Sequence, residues 1–175
     1  MAIIRSVRGF DPVVPASCFL AENSVVVGEV TLGERCTIWY NAILRGDVNF
    51  IRIGDDTNIQ DGAVVHCTWQ KAGTTIGNRV SVGHNAIVHG CTIEDDVLIG
   101  MGAIVMDQAV VGTGSLVAAG AVVLQGTVIE PGMLYAGVPA RPVRKVDEEL
   151  RAIITRTARN YPMYADWFRD GSGKG

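Results

Sequence analysis

The chain's three histidines, His66, His84 and His89, fall within a span of 24 residues. Neutral imidazole is a good zinc donor, and three of them leave a fourth coordination position open to water. An ion held in this way acts as a Lewis acid and lowers the pKa of a water toward about 7, giving a hydroxide able to attack a small electrophilic carbon. Polar residues that suit such a site lie just upstream. The neutral amide of Gln60 can orient a water beside the metal without neutralising it. Asp61 can hydrogen-bond a ligand histidine or position Gln60. Arg45 can bridge carboxylates, Asp47 among them, with paired hydrogen bonds. Asn58 is as well suited to capping a turn as to any part in the site.

The elements that must position these groups follow from an aliphatic residue at every sixth step. The register runs Val14, Leu20, Val26, Leu32, Ile38 and Leu44, jumps to Ile53, Ile59 and Val65, then jumps to Ile76, Val82 and Val88. From Ile93 it keeps strict time to Tyr135, which makes twenty anchors in all. Four places after most anchors stands a small or β-branched residue, and Gly, Asp or Asn fills many of the steps between. Such units need neighbours to bury their inner faces, so they predict short parallel strands wound into a three-sided β-solenoid. Three units make a coil, and nearly seven coils at about 4.8 Å per rung give a prism on the order of 33 Å long.

The register places the histidines. The eleven-residue jump from Val65 to Ile76 is read as one unit plus a five-residue loop, which puts Val88 one coil beyond Val65 on the same wall. His66 and His89, each one step past its anchor, then stack about 4.8 Å apart in backbone and point outward together. The nine-residue jump from Leu44 to Ile53 is read as a unit plus a three-residue loop, so Arg45 stacks one coil below His66. His84 belongs to the neighbouring wall, with Asp61 one coil below it, and should not easily reach the ion within its own prism. A threefold packing of identical chains would bring the His84 face of one against the His66/His89 face of the next, setting Arg45 near Asp61 of a second chain.

Carbon dioxide suits the site that this trimer would form, since it needs a nucleophilic hydroxide and little general acid. Tyr161 or Tyr164 can order substrate or water if the terminal helix returns along the prism, and packing is an equal role for each. Cys18, Cys36, Cys67 and Cys91 lack the close pairing of a thiolate zinc site. Cys18 and Cys36 should stack inside the prism as reduced filler, within reach of disulfide geometry.

At 175 residues and 48% hydrophobic, the chain can build a single core, and a net charge of −3 with scattered Lys and Arg gives no basic stripe for nucleic acid or an acidic membrane. With no membrane-span-length apolar stretch and no signal pattern in residues 1–10, the expected location is cytoplasmic. The division expected is a β-helix over 1–142 and a helix with a flexible tail over 143–175. An apolar stripe predicts the helix from about Asp147 to Asn160, with Pro162 stopping or kinking it before an aromatic segment through Tyr164, Trp167 and Phe168. Gly171 to Gly175 reads as a frayed tail.

The hexapeptide register, Arg45-Gly46-Asp47, Asn58-Ile59-Gln60-Asp61, and His66 followed by His84-Asn85-Ala86-Ile87-Val88-His89 resemble the gamma-class carbonic anhydrase family, in its compact bacterial and archaeal branch. The resemblance covers residues 10 to 168. It implies an all-β, left-handed parallel β-helix with a C-terminal α-helix, assembled as a homotrimer with zinc, or Fe2+ or Co2+, between subunits. By motif, His66 and His89 match ligands of one subunit and His84 the ligand of its neighbour. Gln60 matches the residue near the metal-bound water, Arg45, Asp47 and Asp61 the interface charge network, and Tyr161 a tyrosine brought toward the site. The reaction implied is reversible hydration of carbon dioxide to bicarbonate. Where some members carry a glutamate after Arg-Gly-Asp this chain has Val48, and residues 67–75 hold no carboxylate in place of the acidic loop. Gly137-Val138-Pro139-Ala140 is shared with hexapeptide acyltransferases, which use a histidine as general base with acyl-coenzyme A. Such an acyltransferase, or a nonenzymatic metal-stabilised trimer, is the alternative.

Overall fold

The computed structural model describes residues 1–169. Each six-residue unit forms a short strand and a turn, and strands pair in parallel with those one coil away: Val82 with Ile99 and Ile99 with Val117, Val88 with Val105 and Val105 with Val123. The result is a left-handed parallel β-solenoid of about seven turns that ends in a single helix. Its handedness is opposite to the usual parallel crossover. Anchors turn inward to form the core. Val26, Ile38, Leu44, Ile59, Val65, Val82, Val88, Ile99, Val105, Val111, Val117 and Val123 are completely buried, and the small residues Cys36, Ala42, Ala63, Ala86, Ala103 and Ala121 fill the spaces beside them.

Three walls arise from two sheets. The first wall stacks Val64–His66, Ile87–His89, Ile104–Val105 and Val122–Val123. The second stacks Thr74–Ile76, Thr92–Ile93, Val110–Val111 and Val128–Ile129. Both belong to one sheet because the strand Ile43–Ile53 runs round the corner between them, paired along its length with Val25–Leu32. The third wall runs from Phe19–Leu20 through Thr37–Ile38, Asn58–Ile59 and Ser81–Val82 to Met133–Ala136. There the chain doubles back as Arg141–Lys145, an antiparallel strand that the sixfold register does not announce.

Corner side chains hold the coils in step. Asp55 accepts from the Glu34 amide, Asn78 from the Asp55 amide and Asp95 from the Asn78 amide, each at 2.8 Å. Short Asp and Asn side chains do this because they reach a neighbouring backbone N–H without leaving the turn.

The jump between Leu44 and Ile53 is not the loop read from the sequence. The strand is unbroken and carries a bulge: Gly28 pairs Gly46, and the next pair is Val30 with Ile51. The extra residues bulge outward beside Asp47 because two glycines let the backbones meet. A Cβ on Gly28 would lie 2.3 Å from the Gly46 carbonyl oxygen.

The helix also differs from its expected length, running Glu148–Arg169 straight through Pro162. Asp147 caps it, accepting from the Leu150 amide at 2.9 Å. An interior proline costs about 3 kcal/mol through its lost hydrogen bond. Aromatic packing beyond it offsets that cost: Phe168 lies against Trp39 and Phe19 at ring separations of 5.6 and 5.9 Å, and Tyr161 meets Trp39 edge-on at 5.4 Å. Among the described residues, no helix is long and apolar enough to cross a membrane. The tail expected at 171–175 lies outside the described residues. All four cysteines are free, as expected for Cys18 and Cys36, whose thiols donate to the Gly33 and Gly54 carbonyls at 3.2 and 3.0 Å.

Gly28 and Gly102 both have positive φ, +77° and +66°, but a Cβ at Gly102 would meet nothing within 4 Å. Gly102→Ala should cost about 1 kcal/mol from backbone conformation alone. Gly28→Ala should cost well beyond that and lower Tm further, because it also forces the bulge open. Equal losses in thermal and urea unfolding would contradict the close approach as the bulge's cause.

Candidate metal and catalytic site

His66 and His89 close adjacent strands of the first wall and are direct partners in the parallel register. Their rings are 5.0 Å apart, with His66 Nδ1 only 3.0 Å from His89 Nε2. The remaining nitrogens face carboxylates: His66 Nε2 is 3.0 Å from Asp47 Oδ1, and His89 Nδ1 is 2.5 Å from Asp107 Oδ1. Arg45, next on the wall, donates to Asp47 Oδ2 at 2.5 Å.

This network assigns the protons. Carboxylates only accept, so His66 carries its hydrogen on Nε2 and His89 on Nδ1, each donating to its aspartate. Burial, which disfavours the imidazolium, outweighs the pull of Asp47 and, together with Arg45, holds His66 below the ordinary histidine value. Burial alone would raise Asp47, but hydrogen bonds from His66 and Arg45 prevail and keep it below the usual carboxylate range. With both rings neutral and both hydrogens turned to the aspartates, the two remaining nitrogens would present lone pairs to each other at 3.0 Å, a donor pair that a shared cation would suit. Two tetrahedral zinc bonds of about 2.0 to 2.1 Å set their nitrogens roughly 3.4 Å apart, so this donor pair fits zinc with a small adjustment.

His84 follows Ser81–Val82 on the third wall, away from this pair. Its Nδ1 is 2.9 Å from Asp61 Oδ2 in the same chain, one coil below. Asp61 thus holds its own histidine, whereas the sequence had left it between a partner's histidine and Gln60. Stacking decides this, since the Asn85 amide donates to the Asp61 carbonyl and brings the two side chains level. Gln60 is buried and donates to Asn58 Oδ1 at 3.0 Å. Asn58 caps no turn: it sits in a strand and donates to Ser81 Oγ at 2.8 Å, part of a polar ladder. The helix brings Tyr161 and Tyr164 over Asp61 and His84, in a cleft walled by Trp39, Tyr40 and Phe168.

The candidate residues therefore form two groups, Arg45, Asp47, His66 and His89 on one wall, and Gln60, Asp61, His84 and Tyr161 beside another. Among the described residues, no three or more His, Cys, Asp or Glu side chains are grouped to hold a metal within one chain. Arg45 pairs with Asp47 of its own chain, a pairing the sequence had left behind an intersubunit one. Asp107 and Thr68 were missed altogether. A signal for Asp107 was present, because one coil is 17 residues there and places Asp107 on Gly90, the residue next to His89.

A family model described as bacterial transferase hexapeptide (six repeats) matches residues 90–125. The chain is 56% identical over 142 residues to a "Probable carbonic anhydrase" of Methanocaldococcus jannaschii, covering 81% of this chain and 89% of that one. It is 44% identical over 159 residues to gamma carbonic anhydrase 1, mitochondrial, of Arabidopsis thaliana, covering 88% of this chain but only 58% of the plant protein's length. The crystal structure of a hexapeptide transferase family protein from Anaplasma phagocytophilum superposes with a TM-score of 0.90 at 39% identity, covering 94% of this chain and 96% of that one. With this register, this solenoid and these relatives, the chain belongs to the hexapeptide-repeat, gamma-carbonic-anhydrase superfamily.

Proposed function

We propose that the protein is a carbonic anhydrase that interconverts carbon dioxide and bicarbonate at sites between the subunits of a homotrimer. His66 and His89 of one chain and His84 of a neighbouring chain would hold zinc, and Fe2+ or Co2+ suits the same donors. The observation that carries this reading is the close pair of ring nitrogens on one wall, each ring backed by a carboxylate. The relatives named as carbonic anhydrases support it. So does the first wall itself, whose outer surface beyond the histidines is apolar and partly exposed at Ile87, Met106 and Leu124, as a surface that packs on another copy would be. A cytoplasmic setting accords with four free thiols.

When bound, zinc supplies Lewis acidity and brings the pKa of a water toward about 7. The chain's own residues do the rest. Asp47, Asp61 and Asp107 each take one imidazole N–H, so that the opposite nitrogen keeps its lone pair. Gln60, neutral and fixed by Asn58, orients water with no charge of its own. Burial, then Asp61 and Tyr164, push the Tyr161 phenol up to about 12, so it stays protonated and its O–H is available as a donor. The largely apolar cleft beside it would admit a small apolar substrate.

One feature favours a second reading. His84 backed by Asp61 is also the arrangement of a general base, and transferase relatives share the fold. Metal analysis of the purified protein separates the two: about one ion per chain is expected here, and none for the transferase. In stopped-flow hydration of carbon dioxide, with zinc and with anaerobic iron, His89→Ala should fall to near the uncatalysed rate. A wild type no faster than His89→Ala would leave a metal-bearing scaffold.

Tyr161 gives an independent check on the cleft. Below pH 10, the ordinary tyrosine value, it is neutral folded or unfolded; between 10 and about 12 only the unfolded chain ionises, so stability drains away as pH rises through that window. Ultraviolet titration should show a tyrosine step near pH 12, and Tyr161→Phe should remove that step and flatten the loss. A titration in which Tyr161→Phe removes no step near 12 would contradict the buried placement.

A further inference from the structure

Asp107 stands at a corner just past Ile104–Val105, one coil above His89, and both of its oxygens are engaged. Oδ1 takes His89 Nδ1–H at 2.5 Å, and Oδ2 accepts from Thr68 Oγ1, also at 2.5 Å. Its side chain is only 17% exposed. A carboxylate only accepts, so its two oxygens take hydrogens from His89 on one side and Thr68 on the other. The fit is built into the backbone. Gly90 leaves the space the carboxylate occupies, since a Cβ there would lie 2.6 Å from Asp107 Oδ1 and 2.9 Å from its Cγ.

Thr68 sits in the insertion between Val64–His66 and Thr74–Ile76. A single antiparallel bridge to Ala72 closes this loop, and Asn49 Nδ2 donates to the Thr68 carbonyl at 3.2 Å. Its tip, Trp69, is half exposed and carries the Arg8 guanidinium 4.4 Å above its ring. Arg8 in turn reaches the Asp47 carbonyl at 3.3 Å. The loop that flanks the histidine pair is therefore tied to it from both ends, by Asp107 on one side and by the Asp47 bulge on the other.

We infer that Asp107 is a positioning residue that acts in two directions, fixing His89 as the Nδ1–H tautomer with Nε2 presented toward His66, and pinning the 67–73 loop beside it through Thr68. Its effect on metal affinity rests on the proposed function; its effects on tautomer and loop do not.

The test uses the full chain and zinc alone as the probe. In metal-free protein, long-range 1H–15N spectra of the imidazoles should show His89 as a single Nδ1–H tautomer, and Asp107→Ala should convert it to a mixture. Zinc affinity by chelator competition should fall about 10- to 100-fold in Asp107→Ala. Asp107→Asn, which keeps an acceptor for His89 and guards against a variant that fails to fold, should lose less. Amide exchange over 68–72 should speed up in Asp107→Ala and in Thr68→Val, but Thr68→Val should leave the tautomer and zinc affinity as in wild type. An unchanged His89 tautomer in both Asp107 variants, or unchanged exchange in the loop, overturns the inference. A wild type that binds no zinc overturns the metal reading instead, and the tautomer and exchange results still decide the role of Asp107.

Discussion

The spacing between parallel rungs, about 4.8 Å, governs everything this molecule can do at its surface. A solenoid repeats its outward positions at that distance, so two residues of the same step on adjacent coils present side chains as a matched pair. His66 and His89 are such a pair, and their register brings two ring nitrogens to 3.0 Å. A completely buried core beneath them, with Val65 and Val88 in direct contact rungs, makes that distance a property of the fold. Close packing of this kind resists small displacements, since a shift of one coil would have to move every aliphatic residue stacked on it.

The same repeat supplies the electrostatics. Each histidine has an aspartate of its own chain within hydrogen-bond reach, at 3.0, 2.9 and 2.5 Å for His66, His84 and His89. A carboxylate behind an imidazole fixes which nitrogen bears the hydrogen and makes the other a better donor to a cation. The wall carrying His66 and His89 is thus prepared but incomplete, and His84 is held the same way on a different wall. The threefold assembly proposed above would reconcile the two faces, because identical surfaces displaced by a rotation can meet where one chain's walls cannot.

Much of this was legible in the sequence because a solenoid turns spacing into position. Counting rungs set His66 against His89, Arg45 beneath them and Asp61 beneath His84, even with two insertions to cross. The insertions were where counting failed. The residues between Gly46 and Ile51 form a bulge in an unbroken strand, since Gly28 and Gly46 allow an approach that no count of anchors reveals. Asp107 lies on the coil above His89 but stacks on Gly90, because the register slips by one residue there and hides the pairing from a count of eighteen. Of the stop or kink expected at Pro162, the stop does not occur, because the packing of Phe168 on Trp39 and Phe19, contacts distant in sequence, carries the helix on. The antiparallel return at Arg141–Lys145 breaks the repeat and so left no mark in it.

The central claim is that two imidazoles on one wall are completed by a third from another chain, and assembly of mixed oligomers tests it most directly. His84→Ala keeps the pair and His89→Ala keeps the third donor, so each variant alone should be unable to form a complete site. When the two are unfolded and reassembled together, about one junction in four should unite an intact pair with an intact His84, and bound zinc should rise to that level. Mixed assemblies that hold no more zinc than either variant alone would contradict a site shared between chains.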